Sequence, residues 1–310
     1  MNPGIYYDLP FDEYLAIDAV NNSSLGPIQK SMAHYKAAIE EPSEPTEAMK
    51  LGSFLHGGVL EPLVALGRYV VMPPFHDQVR RPDGSRYDNP RTTKPYKEMK
   101  AEFMAANADK TVVDSDWYES LRGITRAMRA HPDVCRYFRD GCISEVTLVW
   151  IDPATGLLCK CRLDVLNRKH RRIGEFKSIA DASQFEWQIW RLNYHRQFAF
   201  YQDGLDVLTG ERYEVFVVAA ETTGPYYGLR ASPVDPKTLD AGRAIYRDCL
   251  AKIAECRARN EWPGYTDPNG WRLPEAKMPS IVVMSAADMQ KPPFMDMGDV
   301  TGTEELGHFV

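Results

Sequence analysis

The clearest feature of the chain is a change in hydrophobic period near residue 143. In residues 143–150 (ISEVTLVW), Ile143, Glu145, Thr147 and Val149 alternate with Val146, Leu148 and Trp150. This is the period-two pattern of a strand with two different faces. The turn sequence DPATG (152–156) returns the chain as LLCKCRLDVL, predicting a β-hairpin over 143–166. A basic turn, NRKHRR (167–172), leads into a third strand at 172–179. Beyond it Trp187, Trp190, Tyr194, Gln197 and Tyr201 recur at three- and four-residue steps. That spacing predicts a helix over 182–208 carrying one aromatic stripe, which as aromatics alone would be a core face. Strands at 213–221 and 226–232 and a helix at 236–259 complete this half.

The first half reads as helical. Ser23 or Ser24 is a cap for a helix starting near Leu25, with Pro27 in its first turn. A helix at 47–60 carries Leu51, Leu55 and Val59 at helical spacing, with His56 beside that stripe. Further helices fall at 96–108 and 114–130. Residues 73–97 are rich in Pro, Gly and Asp and carry Arg80, Arg81, Arg86 and Arg91, so they read as a long irregular segment. Two readings stay open for it: a solvated loop, or a basic flap whose guanidinium forks contact phosphates. The basic turn ending at Arg172 carries the same pair of readings.

Composition adds bounds. At 310 residues, with 44% apolar and 11% aromatic content, the chain has ample material for a large core. It shows neither a bilayer-length apolar run nor a signal-peptide pattern, which points to a cytoplasmic protein without a membrane partner. The six cysteines have no usual metal-knuckle spacing and read as buried, reduced thiols. A net charge of −6 argues against a generic basic coat for nucleic acid, but leaves room for an enzyme with a local basic groove.

The chemistry concentrates at Asp164, near the end of the second strand, and at Glu175 and Lys177 in the third. Strand alternation puts Glu175 and Lys177 on one side and turns Phe176 away. Two carboxylates from neighbouring strands and a lysine suit a magnesium site for phosphodiester hydrolysis. The simplest alternative is that the three are surface charges on an unrelated α/β domain.

Asp164, ten intervening residues and then Glu175-Phe176-Lys177 resemble the PD-(D/E)xK nuclease core, with Leu163 where the motif has proline. Gln197 to Tyr201 (QFAFY) is similar to the Q-x-x-x-Y motif of the RecB-like branch, and GIYYD, LGSFLHGGVLEP and EVTLVWIDPATGLLCKCRLD resemble stretches of RecE-like (exonuclease VIII) exodeoxyribonucleases. The resemblance implies an α/β restriction-endonuclease-like core, a mixed central β-sheet flanked by helices. It implies one nuclease domain over 1–265, with a helical part at 1–130, a catalytic core at 140–260, and a tail at 266–310 that is extended or an interaction segment.

Residue by residue, the resemblance assigns Asp164, Glu175, Lys177, Gln197 and Tyr201 to catalysis. It assigns His56, Glu145, Asp164, Glu175 and the Phe176 carbonyl to one or two Mg²⁺ ions, with Mn²⁺ as a substitute. A RecE-like nuclease carries aspartate where Glu175 stands; either acid ligates magnesium. The implied activity is 5′-to-3′ digestion of linear double-stranded DNA ends by a ring-like homo-oligomer, with a single-strand annealing protein receiving the 3′ strands. An endonuclease, a single-strand nuclease, or a binding protein of this fold that has lost catalysis are the alternatives.

Overall fold

Strands of very unequal length make up the central sheet. In the computed structural model, residues 1–139, 141–224 and 226–265 are described. The strands are β1 (Gly4–Tyr6), β2 (Tyr69–Val71), β3 (Thr111–Val113), β4 (Cys142–Ile151), β5 (Leu158–Asn167), β6 (Arg172–Ile179), β7 (Glu214–Glu221) and β8 (Leu229–Pro233). Six of them form one sheet in the order β1-β4-β5-β6-β7-β8, and β2 and β3 form a separate parallel pair. The β4-β5-β6 meander is antiparallel, β6 and β7 run parallel, and β8 returns antiparallel. The sheet is therefore mixed, as the resemblance implies.

The β4–β5 turn forms for a local reason. The Asp152 carboxylate accepts from the Thr155 amide at 2.9 Å and hydroxyl at 2.7 Å, and Gly156 takes φ +70°, which a side chain would resist.

The helices are α1 (Phe11–Ala16), α2 (Met32–Glu40), α3 (Glu47–Leu60), α4 (Pro62–Arg68), α5 (Phe75–Gln78), α6 (Lys94–Ala106), α7 (Ser115–Ala130), α8 (Pro132–Arg139), α9 (Phe185–Arg191), α10 (Tyr194–Thr209) and α11 (Pro236–Arg259). One sheet face, with Leu148, Cys161, Leu163 and Ile173, packs on Phe198 and Leu205 of α10 and on Leu250 and Ile253 of α11. Each such fully buried side chain contributes about 1.5–3 kcal/mol. The other face, with Phe176, Phe216 and Val218, packs on Phe54 and Leu55 of α3 and Ile124 of α7. At Gly242 a Cβ would collide with the His195 carbonyl, so glycine sets the close approach of α11 to α10.

Several expectations change. The helix expected from Leu25 is a 3₁₀ segment, Ser23–Gln29, and the α-helix starts later, where Ser31 Oγ caps α2 by accepting from the His34 amide. The part expected to be helical, 1–130, also supplies β1, which pairs with β4, and the β2–β3 pair. The helix expected over 182–208 is two helices, because Asn193 adopts φ +56°, ψ 34° and breaks the run. The aromatic stripe breaks with it: Trp187 and Trp190 are 59% and 52% exposed, outside the core. Residues Met1–Gly264 make one compact unit. The tail expected at 266–310 lies outside the described residues. Among the described residues no helix is long and apolar enough to cross a membrane.

Candidate active site

The site begins where two strands part. β5 and β6 pair at Asn167–Arg172, Leu166–Ile173 and Val165–Gly174, and there the ladder ends. The next residue on each strand is an acid, Asp164 on β5 and Glu175 on β6. β6 stays straight through this point because β7 holds its other edge, with Glu175, Phe176 and Lys177 opposite Val217, Val218 and Ala219. Into the fork points the Asp164 carboxylate, whose Oδ2 accepts from the Phe176 amide at 2.6 Å. The carboxylate replaces the backbone partner that the parting strand withdraws. In a strand, the amide and carbonyl of one residue face the same edge, so the Phe176 carbonyl belongs to this fork too.

A third acid enters from β4. The β4–β5 ladder runs Ser144–Val165 and then Val146–Leu163, which sets Glu145 across from Asp164. Like charges directly opposite repel. Glu145 also has φ +56°, a left-handed conformation that costs a glutamate roughly 1–2 kcal/mol. Such strain persists only where the surroundings impose it.

His56, on α3, provides the compensation. Its Nδ1 lies 3.2 Å from Glu145 Oε1 and its Nε2 lies 2.9 Å from Asp164 Oδ1. Both ring nitrogens face carboxylate oxygens, so both act as donors and the ring is an imidazolium. Burial alone would lower its pKa, but the charge and hydrogen bond of Asp164, and then Glu145, raise it to about 10. The ring keeps 31% of its surface exposed. Arg162 donates from Nε to the other Glu145 oxygen and from Nη1 to the Leu9 carbonyl at 2.8 Å. Asp164, though buried, is held below its ordinary pKa by His56 and Lys177.

Glu175 stands differently. It is fully buried, and Oε2 accepts from Lys177 Nζ at 2.9 Å and from Gln197 Nε2 at 3.3 Å. Among the described residues its Oε1 accepts no hydrogen bond. Burial and the charge of Asp164 push its pKa up to about 7, against the pull of Lys177 and His56. Lys177 opposes its own burial with Glu175 and Asp164 and remains an ammonium, seated over the Tyr194 and Phe198 rings at 5.2 and 6.0 Å. Gln197 also donates to Tyr201 Oη at 3.0 Å. It therefore bridges Glu175 and Tyr201.

Alternation holds as expected: Lys177 and Glu175 share a side, while Phe176 joins the opposite core. The fork gathers His56, Glu145, Asp164, Glu175, Phe176, Lys177, Gln197 and Tyr201. It does not gather the arginines. Arg81 pairs with Asp88 at 2.7 Å and lies over Tyr87, Arg91 lies 3.7 Å from Asp116, and Arg172 binds Glu214 at 2.6 Å. Arg80 and Arg86 are exposed and face each other across an isolated bridge.

Three charged groups escaped sequence reasoning. Arg162 lies two residues before Asp164, so alternation alone would have put it on the same face. Glu61, just beyond α3, is raised in pKa by burial and by Glu145. Lys160 is buried and donates to the Tyr14, Leu15 and Ile17 carbonyls at 2.8, 3.1 and 2.7 Å, capping the end of α1.

PD-(D/E)xK nucleases generally use divalent metals, and the donor chemistry here fits one. The oxygens are hard, and the Glu175 oxygen is buried without a partner among the described residues. Among the described residues no three acid, histidine or cysteine side chains converge on one point to hold an ion as they stand. Instead the three carboxylates are met by three cations, His56, Arg162 and Lys177.

Residues 22–268 match the family profile of the PDDEXK-like domain of unknown function, DUF3799. The chain belongs to this family. Its fold is shared with a solved structure from Eubacterium rectale, provisionally named an exonuclease. That match has a TM-score of 0.56 and 12% identity, over 84% of this chain and 92% of that one. A second structure, SSO0001, matches at a TM-score of 0.26 and 16% identity over 66% of this chain and 85% of its own, which is too low to bear on the fold. No curated protein matches the chain.

Proposed function

We propose that this protein is a metal-dependent exodeoxyribonuclease acting on linear double-stranded DNA, digesting 5′ to 3′ and leaving 3′ single strands for annealing-type recombination. The reading rests above all on one observation. A buried carboxylate oxygen without a donor among the described residues stands beside a buried ammonium, at a strand fork that also holds Asp164. Family membership supports a nuclease; the RecE-like motifs support the polarity, a ring-like homo-oligomer, a single-strand annealing partner and a cytoplasmic location.

Asp164, Glu175 and the Phe176 carbonyl would hold one or two Mg²⁺ ions, or Mn²⁺ in their place, with Glu145 and His56 alongside. A bound ion supplies Lewis acidity toward the phosphoryl oxygen and acidifies its water. The chain's own residues do the rest. Lys177 directs its remaining ammonium donors at the attacking water and at the charge that develops on phosphorus-bound oxygen. Gln197 fixes the Glu175 carboxylate from one side and ties it to Tyr201. Arg162 holds Glu145 against Asp164. Arg80 and Arg86, both exposed and paired across the isolated bridge, would offer their guanidinium groups to a DNA phosphate.

Linear duplex labelled separately at its 5′ and 3′ ends tests the reading, with closed circular duplex alongside. Early release of 5′ label in Mg²⁺, abolished by EDTA and reduced about 10³-fold or more by Lys177→Ala, is expected. Cleavage of the closed circle would replace it with an endonuclease. Wild-type protein that degrades no DNA in Mg²⁺ or Mn²⁺ would leave a binding protein of this fold.

A further inference from the structure

α9 and the residues after it form a short, exposed helical step leading into the site. Phe185 and Ile189 pack on the core, but its two tryptophans are on the other side. Phe185 is buried, whereas Trp187 and Trp190, one turn apart, present 59% and 52% of their surface to solvent, and Leu192 is also exposed. Two exposed indoles on seven residues of helix are costly unless something covers them. Residues three apart on a helix have Cβ atoms about 5–6 Å apart, so the two rings share one face.

Charge and position identify the occupant. The Arg191 guanidinium lies over the Trp187 ring at 4.8 Å, which sets a cation against an aromatic face. The step is also joined to the fork. The Trp190 ring is 4.6 Å from the His195 ring, and His195 Nδ1 lies 3.0 Å from the Ile189 carbonyl, locking α9 to α10. Next to His195 is Tyr194, whose ring supports the Lys177 ammonium at 5.2 Å. The left-handed Asn193 makes the bend that aims the indoles away from the core while α10 carries Gln197 and Tyr201 inward.

We infer that Trp187 and Trp190, with Arg191, form a stacking platform for the unpaired bases of single-stranded DNA next to the catalytic fork. Base π-faces are available only where a strand is unpaired, and indole stacking with one nearby cation is how sequence-tolerant single-strand sites are built. The inference rests on the nuclease reading for the identity of the nucleic acid, and deepens it by assigning where the strand lies once it leaves the duplex.

The test uses the full chain in EDTA, so that nothing is hydrolysed, with a fluorescein-labelled oligothymidylate titrated against it. Tryptophan emission is followed in parallel. The wild type is expected to bind with quenching of its tryptophan emission. Trp187→Ala and Trp190→Ala should each weaken binding about 5- to 150-fold, the range one base–aromatic stack supplies, and together remove most of the quenching. Trp187→Phe and Trp190→Phe should retain most of the affinity, which a purely structural role for the indoles would not require. Unchanged affinity and quenching in the double alanine variant, in protein that still digests DNA in Mg²⁺, would overturn the platform and leave the nuclease standing. A double variant that binds DNA normally but changes its sedimentation would overturn it in favour of a protein interface. A wild type that neither binds nor digests DNA would overturn both.

Discussion

The protein holds two acidic clusters, one buried at the fork and one partly buried on α10, and their differences separate function from architecture. At the fork, three carboxylates face three cations; Glu145 is in a left-handed conformation and Glu175 keeps an oxygen with no donor among the described residues. On α10, Asp203 is met by three guanidinium groups, two of which it shares with Asp206 and Asp240. It accepts from Arg243 at 2.7 and 2.9 Å, from Arg212 at 2.9 Å and from the Tyr246 hydroxyl, with Arg247 3.5 Å away. Asp203 sits in a regular helix, both its oxygens are satisfied, and Arg243 and Arg247 tie α10 to α11. Both clusters perturb pKa values, so perturbation alone does not distinguish them. An unmet acceptor and a strained backbone do.

The largest way to test this contrast is Asp203→Asn. It breaks the near-buried pair with Arg243, leaves Arg243 and Arg212 with Asp240 and Asp206 alone, and should cost about 3 kcal/mol in urea unfolding, while hydrolysis per folded molecule stays near wild type. Burial raises the Asp203 pKa, but hydrogen bonds from Arg243 and Tyr246 more than reverse this, so it lies below the ordinary value. Its contribution is therefore complete above about pH 4–5 and is lost as pH falls through the lower folded value. The asparagine variant should show a correspondingly shallower loss of stability in acid. A fall in activity with unchanged stability would erase the distinction between the clusters.

Next in size is Glu175→Gln, which keeps the shape of the side chain and removes a charge that burial opposes. Hydrolysis should drop about 10²-fold or more, with the thermal midpoint at pH 8 unchanged or a few degrees higher. A clear drop in the midpoint would mean that the fork, like Asp203, is built for stability. The smallest effect isolates the backbone. Glu145→Gly and Glu145→Ala both delete the carboxylate, but only alanine carries a Cβ into the left-handed region. Glycine should be the more stable by about 1 kcal/mol in urea unfolding. Equal stability would remove strain from the description of the fork.

Much of the fold was legible where a single element carried its own period. The helix at 47–60, the strand at 172–179 and the helix at 236–259 lie where the spacing puts them. What escaped depends on partners distant in sequence. β1, β2 and β3 have three residues each, too few for a period, and exist through pairing. The break at Asn193 was missed because the three- and four-residue spacing of aromatics runs unbroken through a residue that tolerates left-handed geometry. In the site, Glu175 and Lys177 were readable from strand alternation and Asp164 from its place on the neighbouring strand, but Glu145 and His56 only through the resemblance, since nothing local to α3 says what the ring of His56 faces. Arg162 was within reach of the same alternation. Lys160 was not, because its partners are the carbonyl ends of α1.

The central sheet thins toward its margins. β4 and β5 have ten residues each, whereas the outermost strands, β1 and β8, have three and five, and β8 ends on Pro233, which has no amide hydrogen to donate. Such short margins offer little ladder for a foreign strand to extend, which is how natural sheets avoid edge-to-edge aggregation. Among the described residues, little backbone is then left open at either margin, and the long inner strands serve as a rigid mount for the fork.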